Sequence, residues 1–280
     1  MKVKKIDFND LSAPKKFTQS LEQTGFSVLI NHPIEPSLIN EVYNIWSKFF
    51  SSDSKYKYIF DKDKQDGYFP FKTENAKGKK VKDLKEFYHF FSWGRVPLEL
   101  ESKTKNLYQK LIDLTTILLQ WIQDETPDNI KSKFATQLPN MIKDSETNLL
   151  RIIHYPPLDG SEDKGAIRGA PHEDINLITL LVAGTEPGLQ VLDKDNNWHD
   201  VSCDPGSIAI NIGDMLQEVS GGYYPSTTHQ VVNPIGEKIK NESRFSMPLF
   251  LHPRADVRLS SRYTAAEYLE ERLKEIGLKK

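Results

Sequence analysis

From Leu149 to Leu251 the chain is a succession of short apolar runs: Leu149 to Tyr155, Ile178 to Val182, Leu189 to Leu192, Ser207 to Ile212, His229 to Val232 and Arg244 to Leu251. Pro156-Pro157, Gly169, Pro187-Gly188, Pro205-Gly206, Gly221-Gly222 and Asn233-Pro234 punctuate them, so none has the length of a helix. Strands this short, rich in β-branched and aromatic residues and regularly interrupted by turns, pack as an antiparallel sandwich or barrel. The expected core is a jelly roll.

Upstream the periodicity changes. A helix is expected from Pro14 to a stop at Gly25, followed by a strand over Phe26 to Ile30. Leu38, Val42, Ile45 and Phe49 then form one apolar stripe of a second helix opening at Pro36. Ser51 to Lys85 is rich in Lys and Asp and carries Gly67, Pro70 and Gly78, which predicts loop with short strands. Its aromatics Tyr68, Phe69 and Phe71 are candidates for a pocket rim, and Lys72 to Lys85 reads as a solvated loop able to close over a site. Leu107, Leu111, Leu114, Leu118 and Ile122 predict a further helix, finished by Pro127. A last helix opens at Thr264, whose hydroxyl and Glu267 form a capping box, and ends at Gly277. Residues 1–100 are thus a helix and strand region, 101–147 a helical support, 148–255 the β core and 256–280 a C-terminal helix, in one compact unit.

Composition narrows the function. Lys and Arg number 37 against 39 Asp and Glu, a formal charge of −2, so the chain lacks the basic excess of a nucleic-acid binder. Cys203 is the single cysteine, which excludes an internal disulfide and any cysteine-ligated cluster within the chain and suits a reducing cytoplasm. No apolar stretch approaches the roughly 20 residues of a membrane helix, and no membrane contact is expected.

Among the seven histidines, His172 and His229 stand with a carboxylate in a pattern that metal chemistry uses. In His172-Glu173-Asp174, positions i and i+2 of an extended segment share a face about 6.6 Å apart, while Glu173 points the other way. His229 opens a later strand that a jelly roll can return beside the first pair. Two imidazoles and one carboxylate on one side of an ion form the facial triad of non-haem iron(II) oxygenases. Arg244 and Ser246, again at i and i+2, make a carboxylate receptor from a guanidinium fork and a hydroxyl. The flanking Met247-Pro248-Leu249-Phe250-Leu251 is apolar, and an arginine aimed into such a strand's interior requires a partner.

These motifs carry a resemblance. Leu150-Arg151-Ile152-Ile153-His154-Tyr155-Pro156-Pro157, His172-Glu173-Asp174 with Ile175 to Leu181, Gly188 to Leu192, Pro205-Gly206-Ser207, Asn211 to Leu216 and Ser226 to Val232 resemble, in order, the isopenicillin-N-synthase-like family of Fe(II)/2-oxoglutarate oxygenases. Gly25-Phe26, Asn31-His32 and Phe49-Phe50 are similar to that family's N-terminal region, so the resemblance spans nearly the whole chain. It implies a mainly β fold with flanking helices, whose core is a double-stranded β-helix of the jelly-roll or cupin-like kind with the N-terminal helical region packed on it. It also implies Fe(II) held by His172, Asp174 and His229, the distal carboxylate of 2-oxoglutarate held by Arg244, Ser246 and Tyr155, and O2 as co-reactant. The implied reaction hydroxylates, desaturates or cyclises a small molecule and releases succinate and CO2. Ile153 stands where many plant members carry an asparagine for 2-oxoglutarate, and Gln230 replaces a frequent arginine. His-Glu-Asp and the Arg-x-Ser pair also occur in isopenicillin N synthase itself, an oxidase that needs no 2-oxoglutarate, which leaves that chemistry as an alternative. A non-catalytic metal-binding jelly roll is a further alternative, opposed by the three visible ligands where structural zinc is four-coordinate.

Candidate substrate residues are Arg168, just before the metal strand, with Tyr68, Phe69 and Phe250. His154 is expected on the face opposite Tyr155, and His32, His89, His199 and His252 show no partner pattern. Neither the identity of the substrate nor the oligomeric state is legible in the sequence.

Overall fold

In the computed structural model, which describes residues 3–74, 81–236 and 241–275, two β-sheets face one another and helices cover the outer side of the larger one. The N-terminal region supplies β1 (Lys5–Asp7), α1 (Ala13–Thr24), β2 (Phe26–Ile30), α2 (Pro36–Phe50), a 3-10 turn (Asp53–Tyr58), β3 (Gly67–Phe69) and β4 (Glu86–Phe90). Helices α3 (Leu98–Glu125), α4 (Asp128–Lys131) and α5 (Leu138–Ile142) follow. The core contributes β5 (Leu149–Tyr155), β6 (Gly169–His172), β7 (Ile178–Val182), β8 (Leu189–Leu192), β9 (Trp198–Asp200), β10 (Ile208–Ile212), a short α6 (Asp214–Val219), β11 (His229–Val231) and β12 (Arg244–Leu251), before α7 (Ala265–Glu275). The eight-stranded sheet runs β1-β2-β10-β7-β12-β5-β4-β3 and the four-stranded sheet β6-β11-β8-β9. This is the expected jelly roll with helices on one side.

Alternation along β12 shows how the sequence builds two compartments at once. Phe245, Met247, Leu249 and Leu251 pack against the helices with Trp46, Leu111, Leu118 and Ile152, whereas Arg244, Ser246, Pro248 and Phe250 face the space between the sheets. Neighbouring strands obey the same rule: Ile208, Ile210 and Ile212 turn outward to the helices, and Ala209 and Asn211 turn inward. Each fully buried aliphatic side chain contributes about 1.5–3 kcal/mol, so the outer compartment anchors the strands that carry the polar inner face.

Several expected elements fall where the spacing put them. Gly25, at φ 70, closes α1 by donating its N–H to Leu21 O, a left-handed position that glycine occupies without steric cost. Thr264 Oγ1 accepts from Glu267 N while Thr264 N donates to Glu267 Oε2, the anticipated capping box of α7; Ile276 and Gly277 lie outside the described residues. Helix α3 begins well before Leu107: Leu100 and Thr104 are buried, and Trp46 Nε1 donates to Thr104 Oγ1. Strand β6 gives no β-propensity signal, since Gly169-Ala170-Pro171-His172 lacks a β-branched residue. It tolerates Pro171 because it is an edge strand of the small sheet.

The run Lys72 to Lys85 departs from its reading as a solvated loop. Asp83, Leu84 and Lys85 are buried, and Leu84 N donates to Ile167 O, tying this segment to the core. Lys85 is held inside by ion pairs with Glu74 and Asp83, a cost of burial that no composition count reveals. Residues 75–80, Gly78 among them, lie outside the described residues. Among the described residues, no helix is long and apolar enough to cross a membrane.

Candidate active site

Strand β11 pairs antiparallel with β6 so that His229 lies directly opposite His172, and the two rings stand 4.4 Å apart. Asp174 lies just beyond the end of β6, with Oδ1 3.8 Å from His172 Nε2 and 3.7 Å from His229 Nε2. One ligand atom from each of the three residues lies within 4.8 Å of the others, close enough to share an ion. Each remaining atom is committed elsewhere. His172 Nδ1 pairs with Ala170 O at 2.7 Å and His229 Nδ1 with Thr227 O at 3.2 Å, so both rings carry their proton on Nδ1 and present an Nε2 lone pair to the centre. Asp174 Oδ2 accepts from Thr179 Oγ1 at 2.6 Å and Asn211 Nδ2 at 2.8 Å, which leaves Oδ1 for the centre. Glu173 points away, as alternation predicts, and its carboxylate accepts from Thr228 Oγ1.

Electrostatics prepare the same site. Burial, reinforced by His229, pushes His172 down to about 4, so the ring is a neutral donor at physiological pH. Burial works to raise Asp174, but His229, His172 and the hydrogen bonds from Asn211 and Thr179 outweigh it and hold the carboxylate below its ordinary range. Two imidazoles and an ionised carboxylate, oriented by backbone carbonyls and amide and hydroxyl donors, suit an iron(II) ion.

The pocket continues from this centre to Arg244, buried on β12 opposite Tyr155 on β5. Its guanidinium lies over the Tyr155 ring, 5.1 Å from the centroid, and Nε donates to Glu186 O at 2.9 Å. Nη1 is buried with no hydrogen-bond partner among the described residues, and Ser246, two residues on, reaches the same pocket. An unpartnered buried guanidinium N–H is costly unless a ligand completes it, and a hydroxyl beside it fits a carboxylate. Gly184 makes room for this arginine: a Cβ there would stand 2.8 Å from Arg244 Nη2.

The other candidates are placed differently. Phe250 lines the pocket, but Tyr68 is packed among Phe49, Phe50 and Tyr56 with its hydroxyl bound to Glu86, and Phe69 is stacked between Phe60 and Phe87. Neither reaches the pocket wall. Arg168 is buried rather than solvated; it lies 5.9 Å from the Tyr155 centroid, donates through Nη2 to Glu242 O and does not line the pocket. His154 sits opposite Tyr155's face, bound to Glu86 and stacked on Phe245. Sequence reading passed over Thr179 and Asn211, though each is a polar residue inside an otherwise apolar strand. It also passed over Lys85 and Arg151, which line the pocket, and His89, which holds Arg151.

Comparison with known proteins agrees with this geometry. Residues 146–253 match the 2OG-Fe(II) oxygenase superfamily and residues 5–110 the N-terminal region of the non-haem dioxygenases of morphine synthesis. A gibberellin 2-beta-dioxygenase of Arabidopsis thaliana is 26% identical over 89% of this chain and 74% of its own, and a flavonol synthase of Eustoma exaltatum is 26% identical over 91% and 77%. A solved structure from Shewanella oneidensis, described as an oxygenase, has 51% identity and a TM-score of 0.90 over 99% of both chains. One from Caulobacter crescentus, described as a 2OG-Fe(II) oxygenase family protein, has 30% identity and a TM-score of 0.81 over 98% of this chain and 99% of its own. With the fold, the three-ligand centre and the family matches in agreement, the chain belongs to the 2OG-Fe(II) oxygenase superfamily and is an iron(II)- and 2-oxoglutarate-dependent oxygenase.

Proposed function

We propose that His172, Asp174 and His229 hold the iron, that Arg244, Ser246 and Tyr155 hold the distal carboxylate of 2-oxoglutarate, and that the reaction oxidises a C–H bond of a small organic molecule in the cytoplasm. The observation that carries this reading is the buried, unpartnered Nη1 of Arg244 in the pocket that also holds the three-ligand centre. Iron(II) bound there with 2-oxoglutarate supplies oxidising power from O2, with succinate and CO2 as co-products, and leaves hydroxylation, desaturation or ring closure as outcomes set by substrate placement. The chain's own residues do the rest. Nδ1–H bonds to Ala170 and Thr227 fix both imidazoles, Thr179 and Asn211 fix the carboxylate, and Phe26, Leu181, Leu189 and Val231 line the pocket with apolar groups that exclude water.

The test is anaerobic titration of 2-oxoglutarate into the Fe(II)-loaded protein, following the visible charge-transfer band of the chelate. A saturable band is expected, with affinity about 10- to 100-fold weaker in Arg244→Ala. Iron binding without a band would instead favour an oxidase that does not use 2-oxoglutarate.

A further inference from the structure

The pocket wall carries two more cations, Lys85 and Arg151, that neither iron nor 2-oxoglutarate uses in the reading above. Arg151 lies on β5 at the same alternation as Ile153 and Tyr155, so its side chain enters the space between the sheets. Lys85 immediately precedes β4, the strand hydrogen-bonded to β5. The two converge on one atom: Glu74 Oε2 lies 2.8 Å from Lys85 Nζ and 3.2 Å from Arg151 Nη1. Asp83 Oδ2 takes a second Lys85 contact at 2.8 Å, while its Oδ1 accepts the Ala170 N–H. Neither Glu74 nor Asp83 lines the pocket, so the carboxylates stand behind the cations and the pocket meets the donors.

The orientation of Arg151 is over-determined. Its Nε donates to His89 Nε2 at 2.9 Å, and His89 Nδ1 donates to Gln65 O at 2.8 Å, which assigns the ring as a neutral acceptor. Burial, with the charge of Arg151, pushes His89 down to about 3 and keeps it so. The guanidinium lies against Phe87, 4.6 Å from its centroid, and against Phe250 at 5.3 Å. With Nε and Nη1 engaged, Nη2 has no partner among the described residues, and the Lys85 ammonium has a third donor beyond its two carboxylates.

We propose that Arg151 Nη2 and Lys85 Nζ together receive a carboxylate of the organic substrate, so that the substrate class is small organic acids whose carbon skeleton runs past Phe250 and Pro248 to the metal centre. This rests on the iron and 2-oxoglutarate reading of the same pocket. Two donors from two cations satisfy both carboxylate oxygens, and the desolvated wall strengthens each bond. A primary amide of the same shape would turn an N–H toward a cation and lose that pairing.

The experiment measures thermal unfolding of the protein loaded with Mn(II) and 2-oxoglutarate against a panel of carboxylic acids, each paired with its primary amide. The stabilising compounds should be acids, with amides about tenfold or more weaker, and Arg151→Gln and Lys85→Gln should each weaken the acids about tenfold or more. The shift given by 2-oxoglutarate itself should persist in both variants. Amides that bind as well as acids, acid binding that survives both substitutions, or a panel without any stabilising acid would overturn the proposal. Should a variant not fold, the acid and amide comparison on the unaltered protein still decides. A missing Mn(II)-dependent shift with 2-oxoglutarate would sink the cosubstrate reading, a separate failure.

Discussion

Thr179→Val isolates the positioning of Asp174 from the ligand itself. Threonine and valine have nearly the same shape, so packing on β7 is kept, but two hydrogen bonds vanish: Thr179 Oγ1 to Asp174 Oδ2 at 2.6 Å, and Asn176 Nδ2 to Thr179 Oγ1 at 2.9 Å. The first is a bond to a charged acceptor, of the order of 1.5–3 kcal/mol. Its loss frees the carboxylate to turn, with only Asn211 still holding Oδ2 at 2.8 Å, and metal affinity should fall about 10- to 100-fold. The second loss leaves the fully buried Asn176 amide unpaired, which should cost about 1–3 kcal/mol of stability whether or not metal is bound. The Asp174 carboxyl also loses one of the groups holding it below its ordinary range, so its pKa rises and metal release on acidification begins at higher pH. Anaerobic Fe(II) or Mn(II) titration at neutral and mildly acid pH, alongside thermal unfolding of the metal-free protein, separates these effects, and Thr179→Ser should restore both bonds. A Thr179→Val protein that is destabilised yet binds metal with unaltered affinity at every pH would refute the idea that this hydroxyl positions the ligand.

Gly184→Ala should weaken 2-oxoglutarate about tenfold while sparing iron, because the new Cβ would displace the Arg244 guanidinium from its present 2.8 Å approach; separate metal and cosubstrate titrations decide. Gly213→Ala should be severely destabilising, since its Cβ would fall 2.2 Å from Asn176 O and Oδ1 with backbone on one side; loss of soluble, cooperatively unfolding protein is the expected result. His89 and His252 are held near 3 and 4, chiefly by burial, so the unfolded chain binds more protons than the folded one from the ordinary value of 6.5 downward. Their contribution to metal-free stability is therefore complete above pH 6.5 and lost as pH falls toward those values, at about 1.4 kcal/mol per pH unit for each histidine. Chemical denaturation in EDTA across that range should show the slope, and it should lessen by about one proton's worth in His89→Gln.

What could be read without coordinates was whatever a period of two or of 3.6 exposes. Arg244 and Ser246 share a face because they are two apart on a strand, and the strand was legible because the residues between and beyond them are apolar. Thr179 and Asn211 left a fainter trace, a polar residue where alternation demanded burial. Tyr68 and Phe69 misled because an aromatic looks alike at a pocket rim and in a core; only the packing of Phe49, Phe50 and Phe60 around them shows which.

The sequence by itself therefore determined the six apolar strands β5, β7, β8, β10, β11 and β12, the shared face of Arg244 and Ser246 and, through the ordered motifs, the candidate set of His172, Asp174 and His229. Tertiary structure alone decided that His229 registers opposite His172, and that Glu74, Asp83, Lys85, His89 and Arg151 meet behind one wall of the pocket. The reason is physical: alternation is a property of neighbours along the chain, whereas an ion pair between distant residues depends on strand pairing and on desolvation that no local pattern encodes.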